Sequence, residues 1–311
     1  MNNLDQDLYS IIIPVYNSEK VVELTVDRTL KAFKSIKLNC EILLIYDGSR
    51  DNSWLKIKEL ANNFENVVAI NLLKNYGQHS AVFCGIHKAK GDYLITIDDD
   101  LQNPPEEIIK LINRIKEGYD LVFGRFPEKK HKNYRKLGTK IIGYLNTKIF
   151  QKPKDITLTN FRIFNREVAD RVKNFNTFYP YIPGLLLMFS SAIGNVEANH
   201  QAREVGQSNY SLIKILQLVA RLLFNYSSYP LKLLTGIGFV IASLSFLFGL
   251  FTVVRAVVVG TQVQGWTTLV VLLSFFNGFL IVMLGMLGEY ISRIMTQISD
   301  QKSYQIKEFV E

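Results

Sequence analysis

Two long uncharged stretches near the end of the chain restrict its fold most strongly. Residues 233–254 and 266–287 carry no charged side chain. Each is close to the ~20 residues that an α-helix needs to cross the hydrocarbon core of a membrane. Helices buried in soluble proteins are usually shorter and seldom free of charge over such a length. Because the linker between the stretches is short, the pattern predicts a hairpin of two transmembrane helices within residues 231–290.

The basic residues around this hairpin predict its orientation. Arg221, Lys232, Arg293 and Lys302 flank it, whereas Arg255 is the one charge in the linker. The positive-inside rule therefore predicts that the soluble domain and a tail over residues 291–311 are cytoplasmic. We expect a multi-pass protein of the inner (cytoplasmic) membrane. The polar start of the chain has none of the features of a secretory signal peptide.

The net charge of +8 suits a polyanionic partner, either nucleic acid or an anionic membrane. The apolar last third favours the membrane, and no nucleic-acid partner is expected. Residues 129–154 are rich in Lys and Arg, contain no acid, and place apolar side chains at helical spacing. This segment either lies in the headgroup layer or packs on the soluble domain with a solvated basic face. Residues 210–230, which lead into the first apolar stretch, are predicted to form an interfacial helix.

The first part of the chain, residues 1–209, has the pattern of a soluble α/β domain. From residue 9 to about residue 126, short apolar runs alternate with longer helix-like segments. Strands that are apolar on both faces and alternate with helices predict a Rossmann-like, mostly parallel sheet. Ligands of such sheets bind beyond the carboxyl ends of the strands.

An acidic triplet follows one of these predicted strands. Asp98, Asp99 and Asp100 repel one another unless a cation lies among them, and Asp47 follows a second strand. Mg²⁺ or Mn²⁺ suits such carboxylate ligands. The alternative is a solvated acidic turn in which an Asp caps the next helix. The chain has neither a glycine-rich dinucleotide fingerprint nor a phosphate loop, so those nucleotide sites are disfavoured.

The chain resembles the family 2 glycosyltransferases with a GT-A fold. Within that family it is similar to the polyprenyl-phosphate sugar synthases, which include dolichol-phosphate mannose synthase and the bacterial GtrB-type glucosyltransferases. The segments that carry the resemblance are IIIPVYNSE (residues 11–19), YDGSRDNS (46–53), KNYGQHSAVFCGIHKAKGDYLITIDDDLQNPPE (74–106), NFRIFNR (160–166), REVGQSNYS (203–211) and LGEYISRI (287–294). They are distributed along nearly the whole chain.

The resemblance implies a role for individual residues. The nucleotide pocket would comprise Pro14, Tyr16, Asn17, Glu19, Asp47, Asp98 and Asp99. The metal would bind Asp100, with Gln102 beside it. Asp98, Asp100 and Arg203 would be the catalytic set. The acceptor phosphate would meet Arg203, with Arg125, Arg135 and Lys136 as further candidates, while Arg162 would serve the structure or a phosphate.

The sequence departs from the family pattern at several positions. Tyr46 stands where Asp or Asn is usual, Lys74 replaces Arg, and Asn209 replaces Lys, which removes one expected phosphate contact. The acidic residue that precedes the Phe-Arg pair in the family is not cleanly placed, because Asp155 is one residue too far and Asn160 occupies the position that is Asp in some members.

The resemblance implies inverting, metal-dependent transfer of a sugar from a nucleoside diphosphate to polyprenyl phosphate. The first expectation is UDP-glucose as donor and undecaprenyl phosphate as acceptor, with mannose, galactose and an amino-arabinose derivative left open. One alternative is a processive polysaccharide synthase, but the chain has no Q-x-x-R-W motif: Gln217 and Arg221 are wrongly spaced. A non-catalytic membrane scaffold is the other alternative. Gly236, Gly249, Gly278, Gly285 and Gly288 offer small surfaces for helix packing, which is compatible with a homo-oligomer.

Overall fold

A computed structural model of the chain describes residues 7–126, 133–199, 212–259, 265–298 and 303–311. The chain forms two compact units. The first comprises Met1–Ile215 together with Gln301–Glu311, and the second comprises Leu216–Asp300.

The first unit is built on one eight-stranded sheet. Its strands are β1 (Leu8–Val15), β2 (Asn39–Tyr46), β3 (Val67–Leu72), β4 (Tyr93–Thr96), β5 (Leu121–Arg125), β6 (Arg162–Asn165), β7 (Ile193–Glu197) and β8 (Ile306–Val310). Their order across the sheet is β7-β5-β6-β4-β1-β2-β3-β8. Strands β1 to β4 pair in parallel, β5 pairs in parallel with β7, and only β6 and β8 run antiparallel to their neighbours. The mostly parallel sheet predicted from the sequence is therefore confirmed.

Helices cover both faces of this sheet, which explains why its central strands are apolar throughout. They are α1 (Val22–Ser35), α2 (Ser53–Asn63), α3 (Gln78–Lys88), α4 (Ile108–Ile115), α5 (Asn133–Phe150), α6 (Arg166–Lys173) and α7 (Ile182–Phe189). Every residue of β1 after Leu8 is buried. Helix α3 approaches β1 so closely that a Cβ added at Gly85 would lie 2.3 Å from the Ile12 side chain, so only glycine fits there.

The second unit consists of long helices. Helix α8 (Leu212–Tyr226) leads into α9 (Tyr229–Val259) and α10 (Trp266–Ile298). The side chains of Phe279 and Met283 lie within 4 Å of a Cβ built at Gly238, so α9 and α10 pack against each other. Among the described residues, one segment, Phe275–Ser292, is long and apolar enough to cross a membrane, and Tyr229–Ile241 is a shorter apolar stretch.

The last residues of the chain return to the first unit. The sequence predicts a cytoplasmic tail over residues 291–311, but α10 continues to Ile298 and residues 306–310 form strand β8. Strand β8 pairs with β3 at the edge of the sheet, with Ile70 opposite Phe309. Both ends of the long-helix segment are therefore joined to the same domain.

Candidate active site

The carboxyl ends of four parallel strands meet at one edge of the sheet. Val15 at the end of β1 pairs with Tyr46 at the end of β2, which in turn pairs with Asn71 of β3. On the other side of β1, Ile12 pairs with Thr96, the last residue of β4. The loops that follow these strands therefore lie side by side at the edge where parallel α/β sheets bind ligands.

Hydrogen bonds join the loops that follow β1 and β2. The backbone N–H of Asn17 donates to Ser49 Oγ (3.0 Å), and Asn17 Oδ1 accepts from the N–H of Arg50 (2.9 Å). The Glu19 carboxylate accepts from the backbone and side-chain N–H groups of Asn52 at 3.3 and 3.1 Å. Asn17 and Glu19 are predicted to line a nucleotide pocket, and in the structure both hold the loop after β1 against the loop after β2.

Two other residues of the predicted pocket differ in exposure. Pro14 is buried within β1, opposite Ile45 of β2. Tyr16 is 44% exposed immediately after the strand. An exposed aromatic ring at the ligand edge of a sheet offers an apolar face to a planar group.

Asp47 connects the loop after β2 to the loop after β3. Its buried carboxylate accepts the backbone N–H groups of Tyr76 (2.7 Å) and Gly77 (2.8 Å). Burial raises the pKa of Asp47, and these two N–H groups partly offset the rise. Gly48 has a left-handed φ of 62°, and a Cβ there would lie 2.6 Å from the backbone nitrogen of Asn75. Sequence reasoning predicted Asp47 as a base contact but missed this structural task.

The three carboxylates of the acidic triplet have different surroundings. Asp99 accepts the Tyr16 N–H (3.2 Å) and a short hydrogen bond from the Ser18 hydroxyl, so it anchors the loop after β1. Asp100 Oδ1 accepts the N–H of Gln102 (3.1 Å), which closes a tight turn. No Asp of the triplet caps the helical turn that follows, as the alternative interpretation required, because the N-cap of that turn is Pro104.

Asp98 is held by side chains from distant parts of the chain. Gln78 Nε2 donates to Asp98 Oδ1 (2.5 Å), and Asn160 Nδ2 lies 3.3 Å from Oδ2. The buried guanidinium of Arg162 donates from Nε to Thr96 Oγ1 (3.0 Å). Burial raises the pKa of Asp98, and the Arg162 charge partly offsets that rise. Gln78 was not predicted as a site residue, since a polar residue at the start of a helix is ordinarily read as a cap.

Burial dominates the electrostatics of this cluster. It raises the pKa of Asp98 to about 6, and the neighbouring Asp100 carboxylate adds to the rise. It also raises the pKa of Asp99 to about 7, with hydrogen bonds from Ser18 and Tyr16 acting in the opposite direction. Crowded, partly buried carboxylates of this kind are stabilised in their charged form by a cation.

The oxygen ligands at this edge fit a divalent ion that is shared with a substrate. Among the described residues, no three or more His, Cys, Asp and Glu side chains are grouped to hold a metal ion. Mg²⁺ commonly binds one or two carboxylates and completes its coordination with substrate phosphates and water. Asp98 and Asp100, whose charges interact, would provide the two carboxylates of such a site.

The predicted phosphate-binding cations are only partly described. Arg203 lies outside the described residues. Arg135 and Lys136 lie in α5, and the structure describes their backbone alone. Arg125 is exposed at the end of β5. Phe123, Arg162 and Thr96 form one row across β5, β6 and β4, so Arg125 and Asp98 extend equally far beyond it. The ends of β5 and β4 are two strand spacings of ~4.8 Å apart, which is about 10 Å along the edge.

One short segment connects the two acidic groups of the site. Gly77 donates to Asp47 and the next residue, Gln78, donates to Asp98. The start of α3 therefore lies between the carboxylate that follows β2 and the first carboxylate that follows β4. Sequence reasoning assigned both acids to one site, and this contact brings them together.

Comparison with known proteins identifies the family. The pattern of glycosyl transferase family 2 matches residues 10–176, which include most of β1, all of β2 to β6 and the acidic triplet. The undecaprenyl-phosphate 4-deoxy-4-formamido-L-arabinose transferase of Proteus mirabilis (strain HI4320) is 37% identical over 304 residues, covering 97% of this chain and 93% of its own. The protein of the same name from Photorhabdus laumondii is 36% identical and covers 97% of this chain and 94% of its own.

Solved structures support the fold assignment. Glucosyl-3-phosphoglycerate synthase from Mycobacterium tuberculosis, crystallised with Mn²⁺, uridine diphosphate and phosphoglyceric acid, matches with a TM-score of 0.52. The match covers 70% of this chain and 76% of the synthase at 17% sequence identity, a level at which it shows a common fold. Together with the matched pattern and the full-length relatives, the fold establishes that the chain is a glycosyltransferase of family 2 with a GT-A catalytic domain.

Proposed function

We propose that this enzyme transfers a sugar from a uridine diphosphate donor to undecaprenyl phosphate. The names of the relatives that match nearly the whole chain support this acceptor. The observation that carries the proposal is the contact of adjacent residues Gly77 and Gln78 with Asp47 and Asp98, because it joins the proposed nucleotide pocket to the acidic triplet.

The proposed reaction requires little general acid–base catalysis from the protein. A phosphate monoester has a second pKa of ~6, so the acceptor oxygen is largely deprotonated near neutral pH. The enzyme has to bring two anionic substrates together and stabilise the diphosphate that departs. We assign the base and ribose pocket to Tyr16, Asn17 and Asp47, with Pro14, Glu19 and Asp99 supporting its walls.

A divalent ion, Mg²⁺ or Mn²⁺, would be held by Asp100 with Asp98 and Gln102 beside it. Bound there, it would supply Lewis-acid neutralisation of the diphosphate charge. Gln78 and Asn160 orient Asp98 toward the same place through their hydrogen bonds. Asp99 holds the loop that carries Tyr16 in place, since its carboxylate accepts a hydrogen bond from the Tyr16 N–H.

The acceptor phosphate requires cations on the membrane side of the donor. We assign Arg203 as its first contact and Arg125 as the second, with Arg135 and Lys136 as weaker contributors. The exposure of Arg125, and its place at the same sheet edge as Asp98, support this assignment. Attack opposite the leaving group inverts the anomeric centre, and assignment of the product anomer by NMR tests that outcome.

The identity of the transferred sugar is the most specific part of the proposal. The relatives' names favour 4-deoxy-4-formamido-L-arabinose, one of the amino-arabinose derivatives left open by the sequence, over the initial expectation of glucose. We therefore place the formamido-arabinose donor first and UDP-glucose second.

The connectivity of the chain supports a two-pass membrane anchor. Residues on both sides of the long-helix unit belong to one domain, because β8 pairs with β3 in the catalytic sheet. A chain that crosses a membrane between two segments of one domain has to cross an even number of times. If Phe275–Ser292 spans the membrane, the uncharged stretch 233–254 of α9 has to span it as well.

A donor panel tests the proposal against its rivals. Membranes containing the enzyme are incubated with undecaprenyl phosphate and each of several radiolabelled UDP-sugars, and the lipid extract is treated with mild acid. Label in an acid-labile lipid supports the proposal and identifies the sugar. Label in polymer would instead support a processive synthase, and absence of label with every donor would support a non-catalytic scaffold.

A further inference from the structure

The C-terminal strand contacts the element that supplies the centre of the candidate site. Strand β8 pairs with β3 from Ala69 to Leu72, and the Gln305 carbonyl accepts the N–H of Leu73 (2.8 Å) one residue beyond β3. Residues 73–77 form the loop whose N–H groups bind Asp47. The chain terminus therefore fixes the point where this loop leaves the sheet.

Tyr304 extends this contact to helix α3. Its ring lies 6.5 Å from that of Phe83 and 6.0 Å from that of His87, in edge-to-face arrangements that stabilise aromatic pairs. Its hydroxyl meets the buried thiol of Cys84, and burial raises the pKa of Tyr304 well above its usual range. Three side chains of α3 are thus packed on Tyr304. The same helix begins with Gln78, whose side chain donates a hydrogen bond to Asp98.

The opposite end of β8 makes contacts far from the site. Phe309 lies opposite Ile70 and its ring is 5.7 Å from Lys88 Nζ, while Glu311 pairs with Lys90 beyond the end of α3. Glu308, between the two ends, forms an ion pair with Lys58 of α2 (2.6 Å). Tyr304 therefore lies beyond the end of β3 that leads to the site, whereas Phe309 lies opposite Ile70, farther from that end. On α3, Tyr304 contacts Phe83, Cys84 and His87, and Phe309 contacts Lys88.

We infer that residues 303–306 are a positioning element for the donor pocket, with Tyr304 as the positioning residue. They hold the end of β3 and the later turns of α3. The loop that binds Asp47 and the helix start that carries Gln78 lie between these two held points, so residues 303–306 fix both. This assignment rests on the proposed function, because it takes Asp47 and Asp98 as parts of the donor site. Since Ile298 ends α10 a few residues earlier, the proposed membrane helix and this positioning element are consecutive along the chain.

Two matched aromatic truncations in the full-length protein separate positioning from general stability. Tyr304→Ala removes the site-end ring, and Phe309→Ala removes a ring of similar size at the far end. Tyr304→Phe keeps the packing against Phe83 and His87 and loses only the hydroxyl. Each variant is examined by steady-state kinetics with the active UDP-sugar, by binding of UDP alone, and by hydrogen–deuterium exchange of peptides that cover residues 73–80.

We expect Tyr304→Ala to raise the KM for the donor and the Kd for UDP about tenfold, with a smaller change in the KM for lipid phosphate, because displacement of the loop misplaces donor contacts. Exchange in residues 73–80 should become faster in this variant. Phe309→Ala should leave these values near wild type, and Tyr304→Phe should restore them. Equal effects of the two alanine variants, or faster exchange without a donor effect, would overturn the inference.

The same data keep this inference separate from the proposed function. A wild-type enzyme that transfers no sugar to lipid refutes the function, whereas an active wild type with donor kinetics insensitive to Tyr304→Ala refutes only the positioning role. If Tyr304→Ala does not fold, Tyr304→Leu keeps an apolar side chain and takes its place. The same shift in donor KM is then required of Tyr304→Leu.

Discussion

Among single residues, Gln78 offers a clean test of the site, because its side chain is exposed and yet donates to Asp98. Removing it costs little packing and leaves Asp98 Oδ1 with the much longer contact from Asn160 Nδ2 (3.5 Å) in place of the Gln78 hydrogen bond. A hydrogen bond to a charged group contributes about 1.5–3 kcal/mol, so Gln78→Leu should lower kcat/KM at least tenfold. Circular dichroism and thermal unfolding should match the wild type. Wild-type turnover in a folded Gln78→Leu protein would show that Asp98 needs no such orientation.

Arg203 is the proposed first contact of the acceptor phosphate, so its substitution tests where the acceptor binds. A lipid phosphate cannot leave the bilayer cheaply, since each withdrawn CH₂ costs about 0.8 kcal/mol, so cations have to meet it near the headgroups. Arg203→Ala should raise the KM for undecaprenyl phosphate, lower kcat, and leave UDP affinity within a few-fold of wild type. The double variant Arg135→Ala, Lys136→Ala should have a smaller effect. Loss of UDP binding with lipid use retained would instead assign Arg203 to the donor diphosphate, and Arg125 would become the acceptor contact to test.

At the scale of elements, Asp47 couples the loops after β2 and β3. Asp47→Ala leaves two N–H groups without acceptors, at about 1–3 kcal/mol for each buried group, so the free energy of unfolding should fall by about 2 kcal/mol or more. UDP affinity should fall more than kcat, and Asp47→Asn, which keeps one acceptor oxygen, should show an intermediate loss. Urea unfolding and UDP titration provide the two measurements. A loss confined to kcat, with the donor KM unchanged, would contradict the pocket role.

Sequence periodicity was sufficient for β1 to β5 because each is a continuous apolar run followed by a polar loop. Strand β8 was not predicted: its five residues alternate in burial, lie at a sheet edge, and pair with residues more than 230 positions earlier. Pairing over such a distance leaves no local pattern. Gln78 and Asn160 were missed as partners of Asp98 for the same reason, since α3 and the approach to β6 become neighbours of β4 only in the folded sheet.

For the whole molecule, the connectivity makes a prediction about membrane sidedness. Lys31 on α1 and Glu311 at the chain end belong to one unit, whereas Gln262 lies in the linker between the two uncharged stretches. In a protein without its native cysteines, single cysteines at positions 31 and 311 should be protected from an impermeant maleimide in intact cells. A cysteine at position 262 should react.

This labelling pattern has a clear contrary result. Reaction at position 311 without reaction at position 31 would place the chain end across the membrane from the catalytic domain, in conflict with the pairing of β8 and β3. Protection at all three positions would indicate that the long helices lie on the membrane without crossing it. Permeabilised cells, in which all exposed cysteines react, provide the control for accessibility.

The most direct measurement is transfer of sugar to undecaprenyl phosphate by the purified enzyme, followed by mass spectrometry of the lipid. With Mg²⁺ or Mn²⁺ and the active UDP-sugar, we predict a lipid heavier by one glycosyl unit and an equal amount of UDP. Chelation of the metal should abolish the product, and Asp100→Asn should remove most of it in a folded protein, whereas Asp27→Asn on the surface of α1 should not. Absence of a glycosylated lipid with every donor, or full yield from Asp100→Asn at limiting metal, would contradict this account.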